Sequence, residues 1–302
     1  MFIMLVGCPA SGKSTWAKNF KSWERYKDEV VIISSDAIRE ELWGDERIQR
    51  DPEKVFKLAH ERIINELKVG TGCVIFDATN IKRKNRVVLM QKIKKFNCTK
   101  RCVVFAEPYD VLCERNHLRS RSVPKEVIWR MFTQFETPLF TEGFNEIEVV
   151  NSNAADMDAW INSMRDFDQE NPHHKLDLFE HCYAAAKYIY GNDKLAVDKS
   201  IVAKAAMLHD IGKLSTKTFT NMKGETTDVA HYYGHENVGA YLALMYKTNW
   251  CPEVRLTISQ LICYHMIPYF IKTERAQHKW EEILGDLYPL VTLLHEADEY
   301  AH

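Results

Sequence analysis

The sequence has no apolar run close to the roughly 20 residues a membrane-spanning helix needs, which excludes a helical membrane protein. Its apolar start, MFIMLVG, is only seven residues long and runs directly into a glycine-rich turn, so it predicts a buried strand rather than a secretory signal. No CxxC pair occurs among the eight cysteines, which argues for reduced thiols and a cytoplasmic location. Internal repeats and low-complexity segments are also missing. An apolar fraction of 46% and a charged fraction of 27% are those of a soluble globular protein.

At 302 residues the chain is long enough for two cores. Its net charge of −2 conceals an asymmetry: residues 1–152 hold 26 Lys/Arg against 21 Asp/Glu, and the remainder 14 against 21. A basic half suits a polyphosphate or nucleic-acid ligand, and an acidic half suits a metal site. The first half alternates β-branched runs (FIMLVG, VVIISS, CVIFDAT, RCVVFAE, EIEVVN) with amphipathic segments, predicting a parallel sheet with flanking helices. After Asn151 no strand is expected. ADMDAWINSMRDF reads as a helix closing the first unit, DQENPHH as a polar linker, and the rest carries helical apolar spacing. The expected division is 1–152, a closing helix and linker over 153–172, and an all-α domain over 173–302.

Gly7-Cys8-Pro9-Ala10-Ser11-Gly12-Lys13-Ser14, followed by Thr15, fits the phosphate-binding loop pattern and stands between a predicted strand and a predicted helix. Such a loop closes backbone N–H groups around phosphate oxygens at a helix N-terminus; Lys13 would reach the β/γ-phosphates of an NTP and Ser14 would ligate Mg²⁺. The acceptor must be read from SSDAIREEL, where Asp36 and Arg39 share one face of a first helical turn at the carboxyl edge of the sheet. A carboxylate there can take a hydroxyl proton, and a guanidinium can grip an anion on the acceptor. Asp77 and Asn80, in Asp77-Ala78-Thr79-Asn80, emerge at the same edge and are further candidates for binding the acceptor. Asp77 is a candidate for acting on Mg²⁺ through water or for buttressing Arg39. Arg115 and Arg119, four apart and followed by Pro124, suit a lid that brings arginines onto a transferring phosphoryl group, with Arg121 either on that lid or solvated. The run Lys82-Arg83-Lys84-Asn85-Arg86 reads as a solvated helix start.

GCPASGKSTW, SDAIRE, DATN and RNHLRSRSVP together resemble the 5′-kinase domain of phage-type polynucleotide kinases, over about residues 1–150. The resemblance implies an α/β P-loop NTPase fold in which Asp36 is the general base, Arg39 contacts the phosphate 3′ of the acceptor nucleoside, and Arg115 and Arg119 form the lid pair. In that family the acid directly precedes Thr-Asn. Here Ala78 intervenes, so the likeness leaves the role of Asp77 open.

The second half carries His181 in DLFEHC, His209-Asp210 in MLHDIGK, His235 in YYGHEN, His265 in CYHM and Asp298 in HEADEY. One histidine in a helix is ordinarily packed or solvated. The adjacent His-Asp is more telling, because it closes a helix whose expected C-terminal glycine is Gly212, and a charge pair there needs a partner. Imidazole and carboxylate ligands suit Zn, Mn, Fe, Ni, Co or Mg without choosing among them. A divalent ion would polarise a phosphoryl group and activate water, and Lys213 is placed to bind the scissile phosphate. His173 and His174 fall in the linker. The order H…HD…H…H…D, with HDxGK and then GHE, resembles the HD phosphohydrolase superfamily over about residues 173–302. The resemblance implies a first metal held by His181, His209, Asp210 and Asp298, and a second metal position completed by His235 and His265. Asp298 lies near the end of the sequence, on a helix expected to be short.

A 5′-hydroxyl kinase joined to a phosphatase fits the healing of broken polynucleotide ends. The first activity adds a 5′-phosphate with ATP or another NTP and Mg²⁺. The second removes a 3′-phosphate or 2′,3′-cyclic phosphate. Phage polynucleotide kinases carry a DxDGT phosphatase motif that is missing here. The known kinase–HD end-healing family has the opposite domain order. A small-molecule or nucleoside kinase fused to a nucleotide phosphohydrolase is the alternative, and a non-catalytic NTP- and metal-binding switch is a third. The sequence does not choose between RNA and DNA ends, nor say whether a separate RNA ligase is a partner.

Overall fold

The structure, a computed structural model, describes residues 1–23, 29–119, 122–150, 156–171, 176–191, 199–246 and 250–302. Arg121, His173 and His174 lie outside the described residues. By packing the chain divides into two units, one of Met1–Trp129 with Pro138–Val150, the other of Arg130–Thr137 with Asn151–His302.

The first unit runs β1 (Phe2–Gly7), α1 (Lys13–Ser22), β2 (Val30–Ser34), α2 (Ser35–Trp43), α3 (Pro52–Val69), β3 (Cys73–Asp77), α4 (Arg83–Ile93), β4 (Lys100–Phe105), α5 (Tyr109–His117), α6 (Lys125–Phe132, its last residues belonging to the second unit) and β5 (Glu146–Val150). All five strands are parallel, in the order β2-β3-β1-β4-β5. Strands covered on both faces read as unbroken apolar runs, and every residue of β1 and β3 is buried. Ile3, Leu5, Ala17, Phe20, Ile75, Val103 and Phe105 form part of one core cluster. The register sets Ser34 beside Asp77 and Gly7 beside Phe105, so these four residues line one edge. The winding reverses at β1, and ligands of open α/β sheets bind at the carboxyl ends of strands near such a reversal.

One arginine departs from expectation. Arg86, in the run read as a solvated helix start, is fully buried. Its Nε and Nη2 each donate at 2.8 Å to the Glu142 carboxylate, and its Nη1 donates to the carbonyls of Asn80 (3.1 Å) and Ile81 (3.0 Å). Glu142 also accepts from the backbone N–H of Leu139. The pair therefore ties the segment after β3 to the turn before β5. Local charge density could not reveal this, because the partner is 56 residues away.

The second unit contains α7 (Met157–Met164), α8 (Leu178–Gly191), α9 (Lys199–Leu208), α10 (Lys213–Thr216), β6 (Thr218–Thr220), β7 (Thr226–His231), α11 (His235–Leu244), α12 (Pro252–Tyr264), α13 (Ile267–Phe270), α14 (Glu274–Leu284) and α15 (Tyr288–Tyr300). Among the described residues it is helical, apart from an antiparallel hairpin that the sequence reading did not expect. Thr218, Thr220, Thr226 and Thr227 supply β-branched residues there, and Gly224 turns the chain at a φ of 84°.

Two boundaries also move. The helix expected to close the first unit, α7, groups with the second, and so does Arg130–Thr137. For Arg130–Thr137 the reason is burial: Phe132 and Phe135 pack their rings 4.6 and 4.9 Å from that of Tyr241, and the Thr137 hydroxyl lies 2.8 Å from that of Ser259. The helix of Asp298, expected to be short, has 13 residues and buries Val291, Leu293, Leu294 and Ala297.

Removing one partner of a buried ion pair leaves an uncompensated charge. Arg86→Met is therefore expected to cost about 3–5 kcal/mol of stability, and Arg86→Met with Glu142→Leu to recover most of it. Denaturant unfolding of the three proteins checks this, and an undiminished midpoint in Arg86→Met would contradict it.

Candidate functional site

The loop after β1 is shaped by its backbone. Gly12 takes a φ of 91° and Ala10 a φ of 64°. A side chain at Gly7 would place its Cβ 2.8 Å from the carbonyl oxygen of Phe105, so that position needs glycine for close approach. The Gly7 N–H donates to Thr79 O at 2.9 Å, tying the loop to the segment after β3. Lys13, at the start of α1, is buried and folds over the loop, donating to Gly7 O (2.9 Å), Cys8 O (2.7 Å) and Ser11 Oγ (3.3 Å). Burial pulls its ammonium below the ordinary lysine value, opposed most strongly by the charge of Asp77. Arg119 pushes in the same direction as burial, and Asp36 opposes it weakly. Burial also pushes the Cys8 thiol up to about 12, so Cys8 fills space and is no nucleophile. Pro9 is half-buried, and Ser14 and Thr15 are exposed on the first turn of α1.

Across the same edge, the Ser34 hydroxyl caps α2 by accepting from the N–H groups of Asp36 and Ala37. Arg39 Nη1 meets Asp36 Oδ1 at 2.6 Å, with Arg39 buried and Asp36 half-buried. Asp77 is buried at the end of β3. The Asn80 amide donates to Leu5 O at 2.9 Å, pinning the segment to β1. Helix α5 ends at His117, so Arg119 lies past the helix rather than on it, and Arg115 pairs with the buried Glu107 at 3.1 Å.

In the helical unit, His181 (α8), His209 and Asp210 (after α9), His235 (α11), His265 (after α12) and Asp298 (α15) are all buried and converge. His181 Nε2 lies 3.0 Å from Asp298 Oδ1 and 3.5 Å from Asp210 Oδ2. His209 Nε2 lies 3.2 and 3.4 Å from the same two oxygens. On the other side, Asp210 Oδ1 faces His235 Nε2 at 3.2 Å and His265 Nε2 at 3.8 Å. Asp210 thus stands between two imidazole pairs. Each ring is oriented from behind: Nδ1 faces Ala206 O for His209 (2.7 Å), Tyr232 O for His235 (2.8 Å), Ile262 O for His265 (2.7 Å) and Ala301 O for His181 (3.3 Å). With Nδ1 turned to a carbonyl, each Nε2 faces inward and can ligate a metal once any proton on it has left, the arrangement that metal-binding histidines require.

Burial opposes charging of His181, but Asp210 and Asp298 overcome it and raise the ring to about 9. His209 moves up likewise against its burial, chiefly through Asp210. Burial also opposes charging of Asp210 and Asp298. Lys213 and His209 hold Asp210 well below the usual carboxylate range, and His209 and His181 do the same for Asp298. Burial together with His209 and His235 lowers His265 to about 3. Two carboxylates balanced by protonated imidazoles, with every Nε2 turned inward, form a donor set that fits one or two divalent cations.

Lys213 reaches this cluster, donating to Asp210 Oδ2 at 2.7 Å and to Gln169 Oε1 at 2.8 Å. Gly212 is not the left-handed helix terminus expected of it, since its φ is −63°. It is glycine because a Cβ would fall 2.1 Å from His235 O, so α11 can approach the His-Asp turn only there. Sequence reasoning missed Gln169, Tyr269 (hydroxyl 2.9 Å from Asp298 Oδ2) and His302 (Nε2 3.8 Å from Asp298 Oδ1). Only His302 left a signal, standing one helical turn beyond Asp298.

Residues 2–138 match the family model described as "AAA domain", and residues 178–301 the model described as "HD domain". The chain joins a P-loop kinase fold to an HD domain. Its P-loop domain is similar to the L-seryl-tRNA(Sec) kinase of Methanococcus maripaludis, 30% identical over 141 residues, which are 46% of this chain and 53% of that protein. A chain of the Pnkp1/Rnl/Hen1 RNA repair complex is 29% identical over 44% of this chain and 43% of its own, with a TM-score of 0.37. A gluconokinase from Sinorhizobium meliloti 1021 is 21% identical over 49% of this chain and 80% of its own, with a TM-score of 0.36. This chain therefore spans about half the length of the seryl-tRNA kinase and less than half of the repair-complex chain. No helix among the described residues is long and apolar enough to cross a membrane.

Metal loading of the HD domain must displace protons from His181 and His209. Because His181 is raised to about 9, affinity should climb as pH rises toward that value, and loading at neutral pH should release protons. Calorimetry in buffers of different ionisation enthalpy reads the release. Loading without proton release at neutral pH would contradict the protonation assigned here.

Proposed function

We propose that the chain heals polynucleotide ends, its P-loop domain phosphorylating a 5′-hydroxyl with an NTP and its HD domain removing a 3′-phosphate or 2′,3′-cyclic phosphate. The observation that carries the kinase half is the Asp36–Arg39 pair standing at the strand edge that also bears Lys13 and Asp77. The Arg39 guanidinium, 2.6 Å from Asp36 Oδ1, aims that carboxylate, so that it can accept the proton of an acceptor hydroxyl. The positive charge of Arg39 also suits an anionic group next to that hydroxyl. The loop amides and Lys13 hold the NTP phosphates, and Arg119 is near enough to add positive charge as the phosphoryl group transfers. Ser14 and Asp77 are the residues that would hold Mg²⁺, directly or through water. An acceptor hydroxyl carried on RNA also accords with the name of the seryl-tRNA kinase.

In the HD domain, His181, His209, Asp210 and Asp298 would hold one divalent ion, and Asp210, His235 and His265 a second. Such ions supply polarisation of a phosphoryl group and a nucleophilic water. The Lys213 ammonium, held at the cluster by Asp210 and Gln169, brings positive charge to where a substrate phosphate would bind.

Asp36→Ala or Lys13→Ala is expected to lower ATP-dependent labelling of a 5′-hydroxyl oligonucleotide by about 10²-fold or more while metal-dependent 3′-dephosphorylation survives. Asp210→Ala should do the reverse. Kinase activity retained in both P-loop-domain variants would overturn the roles. A nucleoside that competes for ATP turnover as well as the oligonucleotide does would instead favour a small-molecule kinase.

A further inference from the structure

Helix α2 carries more than the acceptor pair. At about 100° per residue, Asp36, Arg39 and Trp43 fall within an arc of about 60°, with Trp43 some 10 Å along the axis from Asp36. Trp43 is half-buried, and its Nε1 is buried without a hydrogen-bond partner among the described residues. Two cations gather on its ring: the Arg50 guanidinium lies 5.3 Å from the centroid and the Lys54 ammonium 5.0 Å. The segment that presents them is fixed, because Asp51 accepts from the Lys54 N–H at 3.1 Å and caps α3.

These two cations differ from their neighbours. Arg47 is ion-paired with Asp45, and Arg62 with Glu41, each at 2.6 Å. Arg50 and Lys54 are exposed and have no carboxylate partner among the described residues. A shared ring puts the two charges no more than about 10 Å apart. At that spacing an anionic strand can meet both charges at once. The ring compensates each cation only in part, through its quadrupole. Trp43 therefore acts as a platform that orders two long side chains before a ligand arrives, lowering the ordering cost of binding.

We infer that Trp43, Arg50 and Lys54 form a phosphate track for the acceptor strand, continuing from Arg39 along α2 and binding the phosphodiesters that follow the accepting nucleoside. The inference rests on the kinase reading given above and deepens it, since a track of this kind serves a polynucleotide and is idle with a nucleoside. Arg39 meets the first phosphate, and Arg50 and Lys54 meet those beyond it.

The full-length protein with Arg50→Ala and Lys54→Ala together tests this in two arms. In the first, binding of a 3′-labelled 5′-hydroxyl single strand is followed by fluorescence anisotropy across a salt series, which needs no turnover. Two lost phosphate contacts should flatten the slope of log K against log salt by about 1.4. In the second arm, kcat/KM is compared between that oligonucleotide and a nucleoside 3′-monophosphate, which ends at the phosphate assigned to Arg39. The ratio should fall about tenfold or more at low salt, with a smaller loss in Trp43→Phe than in Trp43→Ala. An unchanged slope and ratio would overturn the track, as would an equal loss on both acceptors. If the parent protein binds the strand with the steeper slope but phosphorylates neither acceptor, the kinase reading fails while the track stands.

Discussion

The carboxylate of Asp210 is the interaction on which the helical domain depends. One oxygen faces His181 and His209, the other faces His235 and His265, and Lys213 closes on it from its own turn. A buried carboxylate among imidazoles is tolerable only when positive charge surrounds it. Protons on His181 and His209 provide that charge, or a divalent ion in their place. Gly212 follows from the same constraint, because its missing side chain lets His235 approach the His-Asp turn. So do the backbone carbonyls behind the rings, three of which belong to the residue three positions back and come at no cost in tertiary packing.

The P-loop domain solves a related problem differently. Its charges gather at the open edge of a sheet, where strand ends and helix starts leave backbone groups for ligands. Lys13 is buried and partly compensated by Asp77, and Asp36 is compensated by Arg39. The fully buried Arg86–Glu142 pair, away from that edge, holds the carbonyls of Asn80 and Ile81 and so steadies the segment that carries Asp77 and Asn80 into the site. In both domains, the side chains of the candidate site are aimed by groups packed behind them.

Much of this was legible in the sequence because its causes are local. The five strands follow from short β-branched runs, and the phosphate loop from glycine, lysine and hydroxyl residues at fixed spacing between a strand and a helix. The six metal-ligand candidates were named from motif order, and the structure brings all six together. What stayed hidden depends on distant partners. The burial of Arg86 requires Glu142, the need for glycine at 212 requires His235, and the grouping of Phe132 and Phe135 requires Tyr241. The hairpin of β6 and β7 was overlooked because its threonines and Gly224 are a weak signal inside a helical stretch. The bond from the Asn80 amide to Leu5 O joins residues 75 apart, and no motif records it.

Whether the cluster around Asp210 holds divalent metal is read by anomalous diffraction from crystals of the full chain grown with Mn²⁺, beside crystals of Asp210→Asn. Anomalous density is expected among His181, His209, Asp210 and Asp298, lost or much reduced in the variant. Mn²⁺ bound elsewhere with the four residues still in direct contact with one another, or density undiminished in Asp210→Asn, would contradict that expectation.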